Sequence, residues 1–143
     1  MSLRYLLDTN ILSEPLRLRP NPNVMARLHQ HDDEIATATV VVHELLFGCY
    51  RLPTSKKRER IEQYLDDIVQ SNITLLPYDI NAAKWHASER ARLATLGQTP
   101  PFADGQIAAI AKANSLILVT GNASDYQNFS ELQVENWYDS SNK

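Results

Sequence analysis

Five acidic or amide residues have the types and places to do chemistry. They are Asp8 at the end of "YLLD", Glu44 within "VVVHELLFGCY", Asp104 at the head of "DGQIAAIAKA", and Asn122 and Asp125 after "SLILVT". Asp8 closes an apolar run, and burying an ionised carboxylate is costly unless something pairs with it. Glu44 has Val40, Val41, Phe47 and Gly48 as its neighbours one turn away on a helical wheel, so it too needs a partner. Carboxylates held together repel one another unless a cation lies among them. Oxygen-only ligands suit Mg²⁺ or Mn²⁺ rather than zinc. An ion of that kind lowers the pKa of a bound water and neutralises charge on a phosphoryl group, and two ions about 3.5–4 Å apart clamp both oxygens of a displacement. Taken singly, each residue has an ordinary explanation. Asp8 and Asp104 fit helix caps, Glu44 an ion pair, and Asn122 and Asp125 turns. Shared chemistry requires a fold that brings them together.

The elements that would do so are readable. Leu3–Leu7 predicts a short buried strand, with a helix from Thr9 or Asn10. "EPLRLRPNPN" is a loop or broken helix, and Pro22 suits the first turn of the helix that follows. Glu34–Ala38 predicts a strand, Thr39 a cap, and Val40–Tyr50 a helix. Ile61, Tyr64, Leu65, Ile68 and Val69 recur at helical spacing. "ITLLP" is a strand stopped by Pro77, and Asp79 caps a long helix ending at Gly97. In that helix Ala83, Ala87 and Ala91 form a small-residue stripe for close packing. "FADGQIAAIAKAN" is a further helix, "SLILVT" a buried strand, and "QVENW" a short last strand. Apolar strands alternating with helices predict an α/β fold with a mainly parallel sheet. Such sheets bind ligands beyond the carboxyl ends of their strands, where Asp8 and Asn122 would emerge.

Bulk properties narrow the function classes. A chain of 143 residues, 43% hydrophobic and 22% charged, fits one globular domain, expected over residues 1–138 with a flexible tail at 139–143. The net charge of −3 argues against a broad basic surface for duplex nucleic acid but leaves room for a local patch. A lone cysteine, Cys49, excludes an internal disulfide and a cysteine-rich zinc site. With no signal-type leader and no long apolar run, a cytoplasmic protein without membrane contact is expected.

Four stretches, "LLDTNIL", "HELLFG", "PFADGQIAAIA" and "LVTGNASDYQNF", resemble in that order the motifs of PIN-domain proteins, and within them the VapC-type toxins of VapBC toxin–antitoxin systems. The resemblance runs from Leu6 to about Phe129. It implies a three-layer α/β/α sandwich and an endoribonuclease dependent on Mg²⁺, with Mn²⁺ as substitute. Asp8, Glu44 and Asp104 match the acidic metal-site positions. Asn122 falls on the fourth position and Asp125 on the acidic residue after it. Thr9 and Thr120 match hydroxyl residues that bond metal ligands or waters. Gly121 stands where many relatives carry a larger or charged residue, so a basic contact is missing there. The implied reaction is in-line attack of a metal-activated water on an RNA phosphodiester, leaving a 3′-hydroxyl and a 5′-phosphate. The implied partners are RNA, a cognate VapB-type antitoxin and a second copy in a homodimer, with DNA reached only through the antitoxin.

For RNA contact, "SKKRER" is the densest basic stretch, and Arg51, Lys56, Lys57 and Arg58 are the candidates, with Arg90 and Arg92 behind them. A solvated helix face explains the same residues. Two other readings stand beside the nuclease. One is a catalytically weak RNA- or partner-binding protein, favoured by the uncharged Asn122. The other is a structure-specific DNA nuclease, which usually needs more basic additions. An aspartate-phosphorylating α/β protein would need a second aspartate at position 10, which is Asn10.

Overall fold

The apolar runs become five short strands: β1 (Tyr5–Leu7), β2 (Ile35–Ala38), β3 (Thr74–Leu76), β4 (Ile117–Val119) and β5 (Val134–Glu135). The computed structural model describes residues 2–139. Spatial order is β3-β2-β1-β4-β5, and every pairing is parallel. β1 is central and wholly buried, with Leu6 beside Ala36 on one side and Leu118 on the other. Burial on both faces is why its residues do not alternate.

Among the described residues six α-helices flank the sheet: α1 (Thr9–Ser13), α2 (Pro22–Gln30), α3 (Thr39–Tyr50), α4 (Lys56–Gln70), α5 (Ile80–Thr95) and α6 (Phe102–Ala113). The chain grows from β1 out to β3, then returns to β4 and β5 on the other side of β1. Right-handed crossovers running in opposite directions lie on opposite faces, which gives the expected α/β/α sandwich. The reversal leaves a crevice between the carboxyl ends of β1 and β4, where open parallel sheets bind ligands. The core beneath it is apolar, with Leu6, Val41, Leu93, Ile110, Leu118 and Trp137 all at 0% exposure.

Pro22 and Asp79 take the places expected of them. Asn21 caps α2 by accepting from the amides of Asn23 and Val24 at 2.9 and 3.2 Å, with Pro22 in the first turn. Asp79 caps α5 by accepting from Ala82 at 2.9 Å. Others differ. Thr39 is not a cap: Ala38 holds the extended cap position, so Thr39 is already helical. The cap of α6 is Pro101, which leaves Asp104 in the first turn with no capping duty. The alanine stripe of α5 faces outward, with Ala87 and Ala91 exposed. The inner face is Ala82, His86, Glu89 and Leu93. Close approach comes instead from Gly105 of α6, where a Cβ would stand 2.2 Å from His86 Nε2. The expected tail begins at Asp139, whose amide donates to the Asn136 carbonyl at 3.4 Å, and residues 140–143 lie outside the described residues. No helix among the described residues is long and apolar enough to cross a membrane.

Glu89 is 6% exposed and satisfied on all sides. It accepts from Arg92 Nε and Nη2 at 3.0 and 2.9 Å and from the Ser130 amide at 2.6 Å. The Arg92 hydrogen bonds, aided by Ser130 and opposed by burial, hold its carboxyl down at about 2 against an ordinary 4.5. A depressed acid stabilises the fold fully above its unfolded pKa and loses that contribution as pH falls towards the folded one. Glu89→Gln is expected to lower stability at pH 7 by about 2 kcal/mol. Its urea midpoint should also fall less steeply than the wild type's between pH 4.5 and pH 2. Equal acid sensitivity in both proteins would remove Glu89 from that role.

Candidate active site

Asp8 follows β1 and caps α1, so the capping explanation holds for it. Its residue is 6% exposed. Oδ1 accepts from the Thr9 amide at 2.7 Å. Oδ2 accepts from Thr120 Oγ1 at 2.8 Å and from the Tyr126 hydroxyl at 3.2 Å. Thr120 lies just past β4, at 0% exposure, and bridges the crevice because β1 and β4 are neighbours. Its Oγ1 also accepts from the Asn122 amide at 3.0 Å. Glu44, on α3, accepts from Thr9 Oγ1 at 2.8 Å, so Thr9 ties the first strand's end to the second motif.

Asp104 completes the group from α6. Burial first, and then the charges of Asp8, Asp125 and Glu44, together raise its carboxyl to about 6 from 3.8. Three other carboxylates, from three other places in the sequence, therefore act on Asp104. None of the ion pairs among the described residues involves any of the four. Asp125 is exposed in the 3₁₀ turn Ala123–Tyr126. Asn122 precedes that turn, exposed, and its side chain makes no cap hydrogen bond.

The donor chemistry fits a hard divalent cation. All the donors are carboxylate oxygens, and a cation would relieve the repulsion that raises Asp104. Among the described residues no three carboxylate, histidine or cysteine side chains form a ready-made ligand group. Mg²⁺ keeps several waters and needs only one or two direct carboxylates, so the spread set suits it.

Arg58 spends its guanidinium on Glu62 at 3.1 Å and the Leu52 carbonyl at 3.1 Å, which makes it a brace of its own loop rather than a free RNA contact. Arg92 is held by Glu89 and the Asn128 carbonyl. Lys56 and Lys57 are exposed at the start of α4. Lys57 also lines a cavity of about 340 Å³ with Glu44, Gly48, Leu45 and Arg60. Arg51 is exposed, 5.4 Å from the Phe47 ring centroid. His43 is exposed and stacks on Phe47 at 6.3 Å. Gly48 opens onto space, with nothing within 4 Å of an added Cβ, so it is not a close-packing device.

The sequence reading missed three supporting groups. Tyr126 donates to Asp8, and burial with the nearby acids pushes its hydroxyl far above the ordinary range, so it stays a donor. His86 lies under Gly105, one residue from Asp104, and pairs with the Tyr78 hydroxyl at 2.7 Å. Burial lowers its pKa first, and Arg90 lowers it further. Glu14, 2% exposed, accepts from the Asn21 amide at 2.7 Å and from the Tyr138 hydroxyl at 2.6 Å. The ring of Tyr138 covers Gly121, whose amide donates to Asn10 Oδ1 at 2.9 Å. The bulk that Gly121 lacks is thus supplied by Tyr138. A buried acid near proline loops, and an aromatic just after Asp125, were the only signals available.

A parallel α/β domain carrying acids and hydroxyls at its switch point belongs to the proteins that work at the carboxyl edge of their sheet. A family model described as PIN domain matches residues 5–132. Toxin FitB of Neisseria gonorrhoeae is 34% identical over 94% of this chain and 99% of that protein. Ribonuclease VapC2 of Haemophilus influenzae is 30% identical over 94% and 98%. The tRNA(fMet)-specific endonuclease VapC of Shigella flexneri is also 30% identical over 94% and 98%. Among solved structures, FitAcB from Neisseria gonorrhoeae superposes with TM-score 0.84 at 32% identity, covering 94% of this chain and 98% of that one. DNA-bound VapBC from Salmonella typhimurium superposes at 0.83 and 25% identity, over 94% and 98%. The chain belongs to the PIN-domain family.

Crowding at Gly121 is directly testable. A Cβ there would stand 2.7 Å from a Tyr138 ring carbon. Gly121→Ala is expected to cost about 1–3 kcal/mol in urea unfolding. In a Tyr138→Ala background the same change should cost much less. An equal cost in both backgrounds would place the strain elsewhere.

Proposed function

We propose that this chain is a Mg²⁺- or Mn²⁺-dependent endoribonuclease acting as the toxin of a cytoplasmic toxin–antitoxin pair. One observation carries the reading. Asp104 lies in the field of Asp8, Asp125 and Glu44 at the switch point of the sheet, and none of the ion pairs among the described residues involves these acids. The relatives named as a toxin, a ribonuclease and a tRNA endonuclease support RNA as the substrate. Solved relatives described as FitAcB and as DNA-bound VapBC support a VapB-type antitoxin partner, with DNA reached through it. A homodimer belongs to the same reading.

Asp8, Glu44 and Asp104 would hold the ion. When bound, it supplies a water of lowered pKa and neutralises charge on the phosphodiester. The chain's own residues do the rest. Thr9 fixes Glu44, and Thr120 with Tyr126 fixes Asp8. Asp125, exposed beside Asp104, adds a charge that Asn122 lacks. No side chain serves as nucleophile. Lys57 and Arg51 meet the phosphates, and a net charge of −3 suits a short unpaired RNA better than a long duplex. A basic antitoxin side chain entering the acid cluster would silence it.

The test is cleavage of an RNA pool by antitoxin-free protein in Mg²⁺, in Mn²⁺ and in EDTA, beside Asp8→Asn. Cutting should require the ion and fall by about two orders of magnitude or more in the variant. Equal cutting by both proteins would place the activity elsewhere. No cutting by either, with RNA binding intact, would make the chain a binding protein.

A further inference from the structure

The loop after β4 is braced from outside the site. Glu89 of α5 accepts from the Ser130 amide at 2.6 Å, and Arg92 donates to the Asn128 carbonyl at 2.7 Å. Between these anchors lies Phe129, 6% exposed, its ring 5.8 Å from Trp85 and 6.1 Å from Tyr126. Tyr126, 2% exposed, carries its hydroxyl to Asp8 Oδ2 at 3.2 Å. That oxygen already accepts from Thr120 at 2.8 Å, whereas Oδ1 accepts from the Thr9 amide alone among the described residues. Two donors turn one oxygen into the protein and leave the other with a single backbone partner.

We propose that Tyr126 is a positioning residue for Asp8, fixing the carboxylate's rotation through Oδ2 so that Oδ1 stays available to a divalent ion. The Glu89–Arg92 clamp on residues 128–130 sets the reach of its hydroxyl. The inference rests on the nuclease reading, since only a site that takes an ion needs one oxygen kept free. Packing alone does not require the hydroxyl, because a phenylalanine ring would fill the same space against Phe129. Groups that orient metal ligands typically change affinity by ten- to a hundredfold.

The test compares Mn²⁺ binding, read by the paramagnetic resonance of free Mn²⁺, in wild type, Tyr126→Phe, Glu89→Gln and Tyr64→Phe. The last removes another part-buried tyrosine hydroxyl, one that donates to the Leu12 carbonyl. Tyr126→Phe is expected to raise the Mn²⁺ dissociation constant about tenfold. Glu89→Gln, which keeps Tyr126 and loosens its brace, should move it a smaller distance the same way. Tyr64→Phe should lower thermal stability and leave the dissociation constant unchanged. Unchanged Mn²⁺ affinity in Tyr126→Phe, beside a wild type that binds the ion and cuts RNA, overturns the positioning role and spares the nuclease. If Tyr126→Phe does not fold, unchanged affinity in Glu89→Gln overturns it. A wild type that binds no Mn²⁺ overturns both.

Discussion

A carboxylate buried at the end of the central strand must be satisfied, and the loops above the sheet are built round that need. Asp8 is 6% exposed, and its two oxygens take three hydrogen bonds from a backbone amide, a threonine and a tyrosine. The donors come from both sides of the switch point: Thr9 follows β1, and Thr120 and Tyr126 follow β4. Strand order does this work, because β1 and β4 are neighbours only where the sheet reverses direction. Satisfying Asp8 keeps its carboxyl group buried at the crevice, where it is one of the acids acting on Asp104. Asp104 bears the consequence, raised to about 6 by burial and by the acids around it.

Stability therefore comes from elsewhere. The alanine-rich inner face of α6 and the leucines of β1 and β4 pack without polar cost. Two glycines allow the close approaches that hold the rim: Gly105 against His86, and Gly121 against Tyr138. The Glu89–Arg92 pair, far from the crevice in sequence, secures the loop that carries Tyr126. The acid cluster is a local strain within a frame that tolerates it, the usual arrangement at a working site.

Most of the frame was legible in the residues. Apolar runs marked the strands, and Pro22, Asp79 and Gly97 marked helix ends by their ordinary chemistry. Asp8, Glu44 and Asp104 were legible as misplaced acids, and the nearness of Asp8 and Glu44 to Asp104 followed once the sheet was parallel. What stayed hidden depended on contacts between distant segments. The inner face of α5 was misread because it buries His86 and Glu89, polar types that hide a core face until Tyr78, Arg92 and Ser130 are seen to satisfy them. Thr39 read as a cap because its hydroxyl suits one, yet Ala38 holds the extended conformation there. Arg58 read as a free cation because nothing in a basic run reveals which member folds back on its own loop.

The central claim is that these carboxylates are held together for a cation, against their own repulsion. The most direct test is thermal melting of wild type and Asp104→Asn at pH 7.5, in EDTA and in Mg²⁺. Without metal the variant should melt above the wild type, because at that pH Asp104 is charged in the field of Asp8, Asp125 and Glu44. Mg²⁺ should raise the wild type's melting temperature and leave the variant's nearly unmoved. A variant that melts lower than the wild type in EDTA, or that responds to Mg²⁺ as fully as the wild type, would contradict it.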